Sequence, residues 1–341
     1  MTLELTEVLL REAPSDGIAP DGFYSTTNNP TYVFLSGKWV KVEEQMMDKV
    51  IVVNIVEKIA ICKPIRELKK GELVVVGDNG VREVLHRKEK KETFSFMSMS
   101  ISSEKNVGAI IHSLADLLYK TKKKKEKIII VAGPALVHSG AMGHLAELVK
   151  KGYVNALLSG NALAVHDIEY ALFGTSLGIN LATGQPSPGS HRNHMAAINE
   201  VFKAGSLKGI VDSGKVKSGI IYECVKNNVP YILAGSIRDD GPLPDVITDT
   251  VKAQKAYHEA LKNAKVVLML GSMLHSIAVG NMLPSTVKTI CVDINPAAIT
   301  KLINRGTTQQ IGIVSDIGLF LPALVSELKK VEEKRQSNFL Y

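Results

Sequence analysis

The stretch VVLMLGSMLHSIAVGNMLPSTVKTICVD (266–293) decides the fold. The apolar run Val266 to Leu270 leads into Gly271 and Ser272, a helix-compatible segment follows, and a second apolar run (289–293) ends at Asp293. Apolar strand, glycine-bearing loop, helix and apolar strand together make a βαβ unit. Strands that read as unbroken apolar runs are buried on both faces of a parallel sheet. The nearly apolar part, Val266 to Gly280, is interrupted by Ser272, His275 and Ser276 and is too short to span a bilayer.

The same rhythm extends outward from this stretch. Further apolar strand candidates are IIIVA (128–132), NALLS (155–159), YILAG (231–235) and IGIVS (311–315). Helical patterns follow most strands: GHLAELVKKG (143–152), LAVHDIEYAL (163–172), TDTVKAQKAYHEALKNA (248–264), PAAITKLINRG (296–306) and DIGLFLPALVSELKKVEEK (316–334). A doubly wound, Rossmann-like α/β domain is expected from Lys127 onward, with ligands at the carboxyl ends of its strands.

Upstream the pattern changes. TYVFLSGKWVKV (31–42) reads as a hairpin turning at Ser36-Gly37, and VIVVNIV (50–56) and ELVVVGDNGVREV (72–84) are rich in β-branched residues. Asp78-Asn79-Gly80 is a tight-turn signal. A small, mostly antiparallel β domain is expected here, followed by a connecting helix over 106–119. The expected division is 1–105 and 106–341, and LELTEVLLREA (3–13) reads as a leading helical segment.

Composition excludes several function classes. Of 341 residues 45% are apolar and 22% charged, so global disorder is excluded. The formal charge of +7 resides in two stretches, KTKKKKEK (120–127, +5) and REVLHRKEKK (82–91, +3), which leaves −1 for the rest. Aromatics make up only 5%, and Tyr119 alone sits beside the lysine run, so these read as solvated faces rather than a nucleic-acid surface. Three cysteines, at 62, 224 and 291, match no metal spacing and no disulfide framework, and no metal site is expected. No secretory signal is visible, and a soluble cytoplasmic protein is expected.

The loops after the strands carry the chemistry. A phosphate requires a close-approaching backbone and the free N–H groups of a helix N-terminus, and a ribose is held by an acid ending the next strand, about 20 residues on. Gly271, Ser272 and Asp293 fit both requirements, although no G-x-G-x-x-G occurs and Asp293 equally reads as a helix cap before Pro296. Asp316 follows the next strand and also suits an N-cap, and Asn161-Ala162 follows strand 155–159 through Gly160. In SIRDDGPLPD (236–245), Arg238 can clamp a carboxylate, and the paired carboxylates Asp239 and Asp240 can hold an ammonium or take a proton. A Gly-Pro surface turn with exposed charges is the plainer reading. His166 reads as either a buried, satisfied histidine or a polar site residue, PGSHRNH (188–194) is a further polar stretch, and the Gly/Pro-rich loop 174–190 reads as a lid or substrate loop or simply as a long connection. DGFYSTTNNPTY (21–32) is a solvated entry loop or a polar flap over a substrate.

The strings YSTTNNPTYV, GNALAVHDIEYALFGTSLG, LAGSIRDDGPLPDVITD, MLHSIAVGNMLP and CVDINPAAITKL resemble the LOR/SDH-like family, which includes archaeal-type ornithine cyclodeaminases. The resemblance covers almost the whole chain. The family usually extends further at its N-terminus, so a preceding segment is expected to be absent here. The resemblance implies NAD bound in a Rossmann-like domain similar to that of deoxyhypusine synthase. Carried onto this sequence, it makes Asn161, Ala162, Asp240, Ser272, Met273, Leu274, His275, Asp293, Asp316 and Ile317 NAD contacts. The implied reaction converts ornithine to proline and ammonia without net redox change. On that footing Arg238 is expected on the substrate carboxylate, Asn28 and Asn29 as polar contacts, and Asp239 and His166 as candidate bases. The alternatives are an NAD-dependent amino-acid or saccharopine-type dehydrogenase and a non-catalytic NAD-binding regulatory module. A small amino acid as partner, no nucleic acid or membrane, and a homo-oligomeric assembly complete the expectation.

Overall fold

The computed structural model describes residues 6–84, 107–177, 179–181, 183, 185, 192–304 and 310–337. The chain divides into two compact units, one made of residues 6–84 with Gly280–Val287 and the other of the remaining described residues. The expected boundary at 105/106 lies outside the described residues.

The first unit holds β1 (Leu9–Glu12), β2 (Thr31–Leu35), β3 (Lys38–Glu43), β4 (Val50–Asn54), β5 (Ile59–Lys63), β6 (Leu73–Val76) and β7 (Val81–Glu83). They form one sheet in the order β1-β6-β4-β5-β3-β2-β7. All pairs are antiparallel except β3 with β5, whose register is Val42↔Ala60 and Glu43↔Ile61. The β2–β3 hairpin turns where expected: Ser36 (φ 51°) and Gly37 (φ 74°) both have positive φ, the mirror-image turn that suits the strand twist. Both turn amides donate to the carboxylate of Glu7. The turn at Asp78-Asn79-Gly80 is also present, with Val81 N donating to Asp78 O, but its flanking strands separate: β6 pairs with β1 and β4, and β7 pairs with β2. Val33, Val42, Ile51, Val53, Ala60 and Val75 bury the inner face.

The expected leading helix is corrected for part of its length, because Leu9–Glu12 is a strand. Its backbone groups are paired along β6, from Leu9↔Val76 to Glu12↔Leu73. A four-residue ladder to a neighbouring strand outweighs the weak helical preference of a short run.

The second unit begins with α1 (Val107–Lys123), β8 (Lys127–Ala132), α2 (Ala135–His138), α3 (Met142–Lys150), β9 (Ala156–Gly160) and α4 (Asn161–Phe173). The short pair β10 (Thr175–Ser176) and β11 (Ile179–Asn180) precedes α5 (Asn193–Ala204), α6 (Leu207–Asp212) and α7 (Ile220–Lys226). The chain continues through β12 (Tyr231–Ala234), β13 (Val246–Ile247), α8 (Thr250–Leu261), β14 (Ala264–Leu270) and α9 (Met273–Met282). It ends with β15 (Lys288–Asp293), α10 (Pro296–Asn304), β16 (Gln310–Val314) and α11 (Ile317–Ser337).

The sheet runs β13-β12-β9-β8-β14-β15-β16, and every neighbouring pair is parallel. Each apolar run of the sequence lies on one of its strands. Ile128, Ile129, Ile130 and Val131 of β8 are fully buried, each contributing up to about 1.5–3 kcal/mol. The strand order reverses at β8, whose neighbours are β9 on one side and β14 on the other. A crevice at the carboxyl ends of β8 and β14 follows from that reversal. Helices α5 to α7 stand apart from the sequence expectation. Short α7 is capped from a distance: fully buried Asp167 on α4 accepts from Ile220 N and Ile221 N at 2.9 and 2.8 Å. Burial pushes the Asp167 carboxyl up to about 6 against the pull of those two bonds. Among the described residues no helix is long and apolar enough to cross a membrane.

Candidate active site

Two glycines make the strand-end crevice possible. Gly133, after β8, donates its N–H to Leu270 O, and Gly271, after β14, donates to Val292 O. A Cβ on Gly133 would fall 1.9 Å from Gly271 O, so the two loops touch backbone to backbone. Gly271 has φ 56°, and a Cβ there would meet Ile317 Cδ1 at 2.4 Å. The loop therefore turns left-handed against α11 and delivers Ser272 and Met273 to the start of α9, where the first N–H groups lack intrahelical partners.

The residues expected to touch NAD gather along this edge of the sheet. Asn161 and Ala162 open α4 directly after β9, and Asn161 Oδ1 accepts from Leu243 N at 3.1 Å. Ser272 Oγ and His275 Nδ1 are 2.9 Å apart on the first turn of α9. The His275 ring lies against Gly160, where a Cβ would come within 2.8 Å of Cε1. Burial lowers the His275 pKa, and the charge of Asp239 partly restores it, so the ring is neutral at neutral pH. Met273 and Leu274 are exposed at 40% and 65%. Asp293 ends β15 and accepts from Asn295 N at 2.8 Å through Oδ1. Asp316 precedes α11 and accepts from Gly318 N at 2.6 Å, again through Oδ1, which makes it an N-cap. Ile317 is buried behind Gly271.

The loop after β12 carries the charged candidates. Asp239 closes a turn, with Ser236 N and Ser236 Oγ donating to its two oxygens at 2.8 and 3.1 Å. Arg238 and Asp240 are exposed. Asn28 and Asn29 belong to the β unit. Asn28 is buried, its carbonyl accepts from Ser285 N at 2.7 Å, and Asn29 N donates to Thr27 Oγ1. Within that same β unit, Gln45 Oε1, Asn281 Oδ1 and Ser285 Oγ are buried without a hydrogen-bond partner among the described residues.

His166 belongs to a constellation that sequence reasoning missed. Its Nδ1 lies 3.1 Å from Glu169 Oε2, and its ring centroid stands 4.6 Å from that of His138 and 4.8 Å from that of His194. Glu169 also accepts from Thr175 Oγ1 and Leu177 N. Burial and the neighbouring His166 push His138 down to about 4. The strings HDIE and HRNH carry the polar residues, but nothing local signals their convergence.

The two regions of the chain match known families. Residues 30–111 match the first region, and residues 112–324 the Rossmann-fold region, of the C-terminal part of ArgZ-like arginine dihydrolases. The ornithine cyclodeaminase of Methanocaldococcus jannaschii is 54% identical over 97% of this chain and 80% of its own length. A solved LOR/SDH protein from Methanococcus maripaludis S2 superposes with a TM-score of 0.90 at 48% identity, covering 96% of this chain and 99% of that one. AgrE, a bifunctional arginine dihydrolase/ornithine cyclodeaminase of Nostoc sp., has been solved in a ternary complex with ornithine and NAD+. It is similar at 44% identity and a TM-score of 0.66, over 98% of this chain and 47% of its own. The chain belongs to the ornithine cyclodeaminase family, whose two regions it shares with the C-terminal part of ArgZ-like arginine dihydrolases.

Proposed function

We infer that the protein is an NAD-dependent ornithine cyclodeaminase, converting L-ornithine to L-proline and ammonia. The observation that carries this reading is the 54% identity to an ornithine cyclodeaminase across nearly the whole chain, joined to a strand-end edge suited to a dinucleotide. The edge fits NAD on its own chemistry. The start of α9 offers free N–H groups to a pyrophosphate beside a backbone with no Cβ at Gly133 and Gly271. Asp293 and Asp316 each retain an Oδ2 without a partner among the described residues, as ribose hydroxyls require. Asn161, Ala162 and His275 line the neighbouring strand end, and Asp240 stands on the adjoining loop.

When bound, NAD accepts a hydride from the substrate α-carbon and later returns it to the cyclic imine. The residues do the rest. Substrate amines arrive protonated and must lose protons before the α-carbon can be oxidised and before the δ-amine can attack it. In this reading Asp239, whose charge is felt by His275, accepts a proton at the α-amine. His166, oriented by Glu169, is the second candidate base. Arg238 holds the substrate carboxylate. Neutral His275 donates or accepts one hydrogen bond without adding charge beside the cofactor. Intramolecular attack by the δ-amine displaces ammonia, and proximity supplies much of the rate. Acting on a small amino acid, the protein is read as a cytoplasmic homo-oligomer, which cell fractionation and sedimentation test.

Incubation with ornithine and NAD, following proline, ammonia and reduced-cofactor absorbance, is the direct test. Stoichiometric proline and ammonia without net NADH are expected. Accumulating NADH would indicate a dehydrogenase, and no turnover with retained NAD binding would indicate a regulatory module. If Asp239→Asn and His166→Ala both keep near-normal turnover with NAD bound, the assignment of bases is wrong.

A further inference from the structure

We propose that His166, Glu169 and His194 form a binding site for one divalent first-row cation of the zinc class. Residues 166 and 169 are one turn apart on the same face of α4, and His194 stands in the first turn of α5. One ligating atom from each of the three lies within 4.8 Å of the others. Glu169 Oε2 is 3.1 Å from His166 Nδ1 and 3.7 Å from His194 Nδ1. Two ligands on a tetrahedral zinc ion, at about 2.1 Å each, stand about 3.4 Å apart, so the two separations bracket that value.

Three features distinguish this from an ordinary buried ion pair. His194 Nδ1 is buried and has no hydrogen-bond partner among the described residues, a cost that a ligated cation removes. Outer groups are arranged as ligands require. Thr175 Oγ1 and Leu177 N donate to Glu169, and Asn193 Nδ2 donates to Thr175 Oγ1. On the far side of His194, Nε2 is 3.9 Å from Asp240 Oδ2, an ion-pair separation longer than a hydrogen bond. The charges also match, since a dication would sit against the Glu169 carboxylate, with that of Asp240 behind the His194 ring. Two imidazoles with one carboxylate favour zinc, cobalt or nickel over magnesium or calcium, which take oxygen ligands. His138 stays outside the group of converging ligand atoms, and its Nδ1 is 2.8 Å from Ser176 Oγ.

The cation would tie α4 to α5, the two ends of the intervening segment. It would also occupy the Nδ1 lone pair of His166, so cation binding and a proton-accepting role for that ring exclude one another. The binding readout below does not depend on the cyclodeaminase reading.

The test uses the full chain, stripped with a chelator and dialysed against zinc or cobalt(II), with metal content by mass spectrometry and visible absorption of the cobalt form. One ion per chain and the intense cobalt absorption of a four- or five-coordinate site are expected. His194→Ala and Glu169→Gln should each weaken binding at least ~10-fold, the loss that removing even an outer-shell partner causes. His112→Ala, removing an exposed histidine on α1, should leave loading unchanged. His194 is partly exposed, so its alanine variant remains interpretable if the Glu169 variant fails to fold. Less than a tenth of an ion per chain, or equal loading in the His194→Ala protein, would overturn the proposal.

Discussion

The His275 ring occupies the space into which a side chain on Gly160 would project. A Cβ there would lie 2.8 Å from Cε1, 3.0 Å from Nε2 and 3.4 Å from Ala234 O. At φ −107° and ψ 179°, Gly160 is in extended backbone open to alanine, so Gly160→Ala adds no backbone strain. Relief must come from the imidazole, which has to retreat by about 0.7 Å to reach an ordinary carbon–carbon separation. The ring ends a two-torsion side chain, and a modest rotation costs about 0.5–1.5 kcal/mol. The fold should therefore survive with a loss of about 1 kcal/mol. Function should suffer more. The 2.9 Å contact of Ser272 Oγ with His275 Nδ1 cannot be kept after that retreat, and it organises the turn assigned to NAD. Losing it should weaken NAD binding about 10-fold, equivalent to ~1.4 kcal/mol. Calorimetric titration with NAD, urea unfolding and proline formation on the same preparation separate these effects. A folded Gly160→Ala protein with wild-type NAD affinity and wild-type kcat/KM would refute the argument that this contact positions the cofactor.

Gly133→Ala should behave differently, because its Cβ would meet the carbonyl oxygen of Gly271 rather than a movable side chain; a loss of about 3 kcal/mol or more is expected, and an unchanged urea midpoint would contradict it. Asp167 has a folded pKa of about 6 above its ordinary 3.8. Its contribution is therefore full below pH ~4 and lost as pH rises through 6, by up to about 3 kcal/mol. Asp167→Asn should remove this component, so its stability relative to wild type should rise across that window; a constant offset from pH 4 to 7 would show that Asp167 does not titrate there. Tyr257→Phe removes the hydroxyl that donates to Ser159 O, beside Gly160, and should cost about 1 kcal/mol by thermal unfolding. No measurable change would mean that the Ser159 carbonyl finds another donor.

The strand-end edge is legible in the sequence because its signals are local. Val266 to Leu270, Gly271 and Asp293 sit within one βαβ unit, and burial on both faces forces the apolar runs that reveal it. Where partners are distant, the signal fails. Leucine and valine spacing in 3–13 suggests a helix, yet residues 9–12 pair with β6 more than sixty positions away. Helix α7 has no capping side chain of its own, since Asp167 caps it from 53 residues upstream. The parallel pairing of β3 with β5 likewise has no signature in either strand. Asp316 illustrates a residue whose two readings are both geometrically open: Oδ1 caps α11, while Oδ2 remains free to bind among the described residues. The His166–Glu169–His194 cluster was illegible for another reason. Glu169 looks like one more polar residue in a helix, and only the folded chain turns His194 towards it.

The position of β8 at the centre of its sheet bears on how the protein is made. One of its partners, β9, follows within thirty residues, whereas the other, β14, is completed only at Leu270. At ordinary translation speeds those roughly 140 residues take on the order of 10–30 s. During that interval the nascent chain can assemble the β8–β9–β12 half while one long edge of an almost wholly aliphatic strand stays unpaired. Chaperone dependence and aggregation of this protein should therefore be governed by truncations and pauses between residues 235 and 270, before β14 arrives to close that edge.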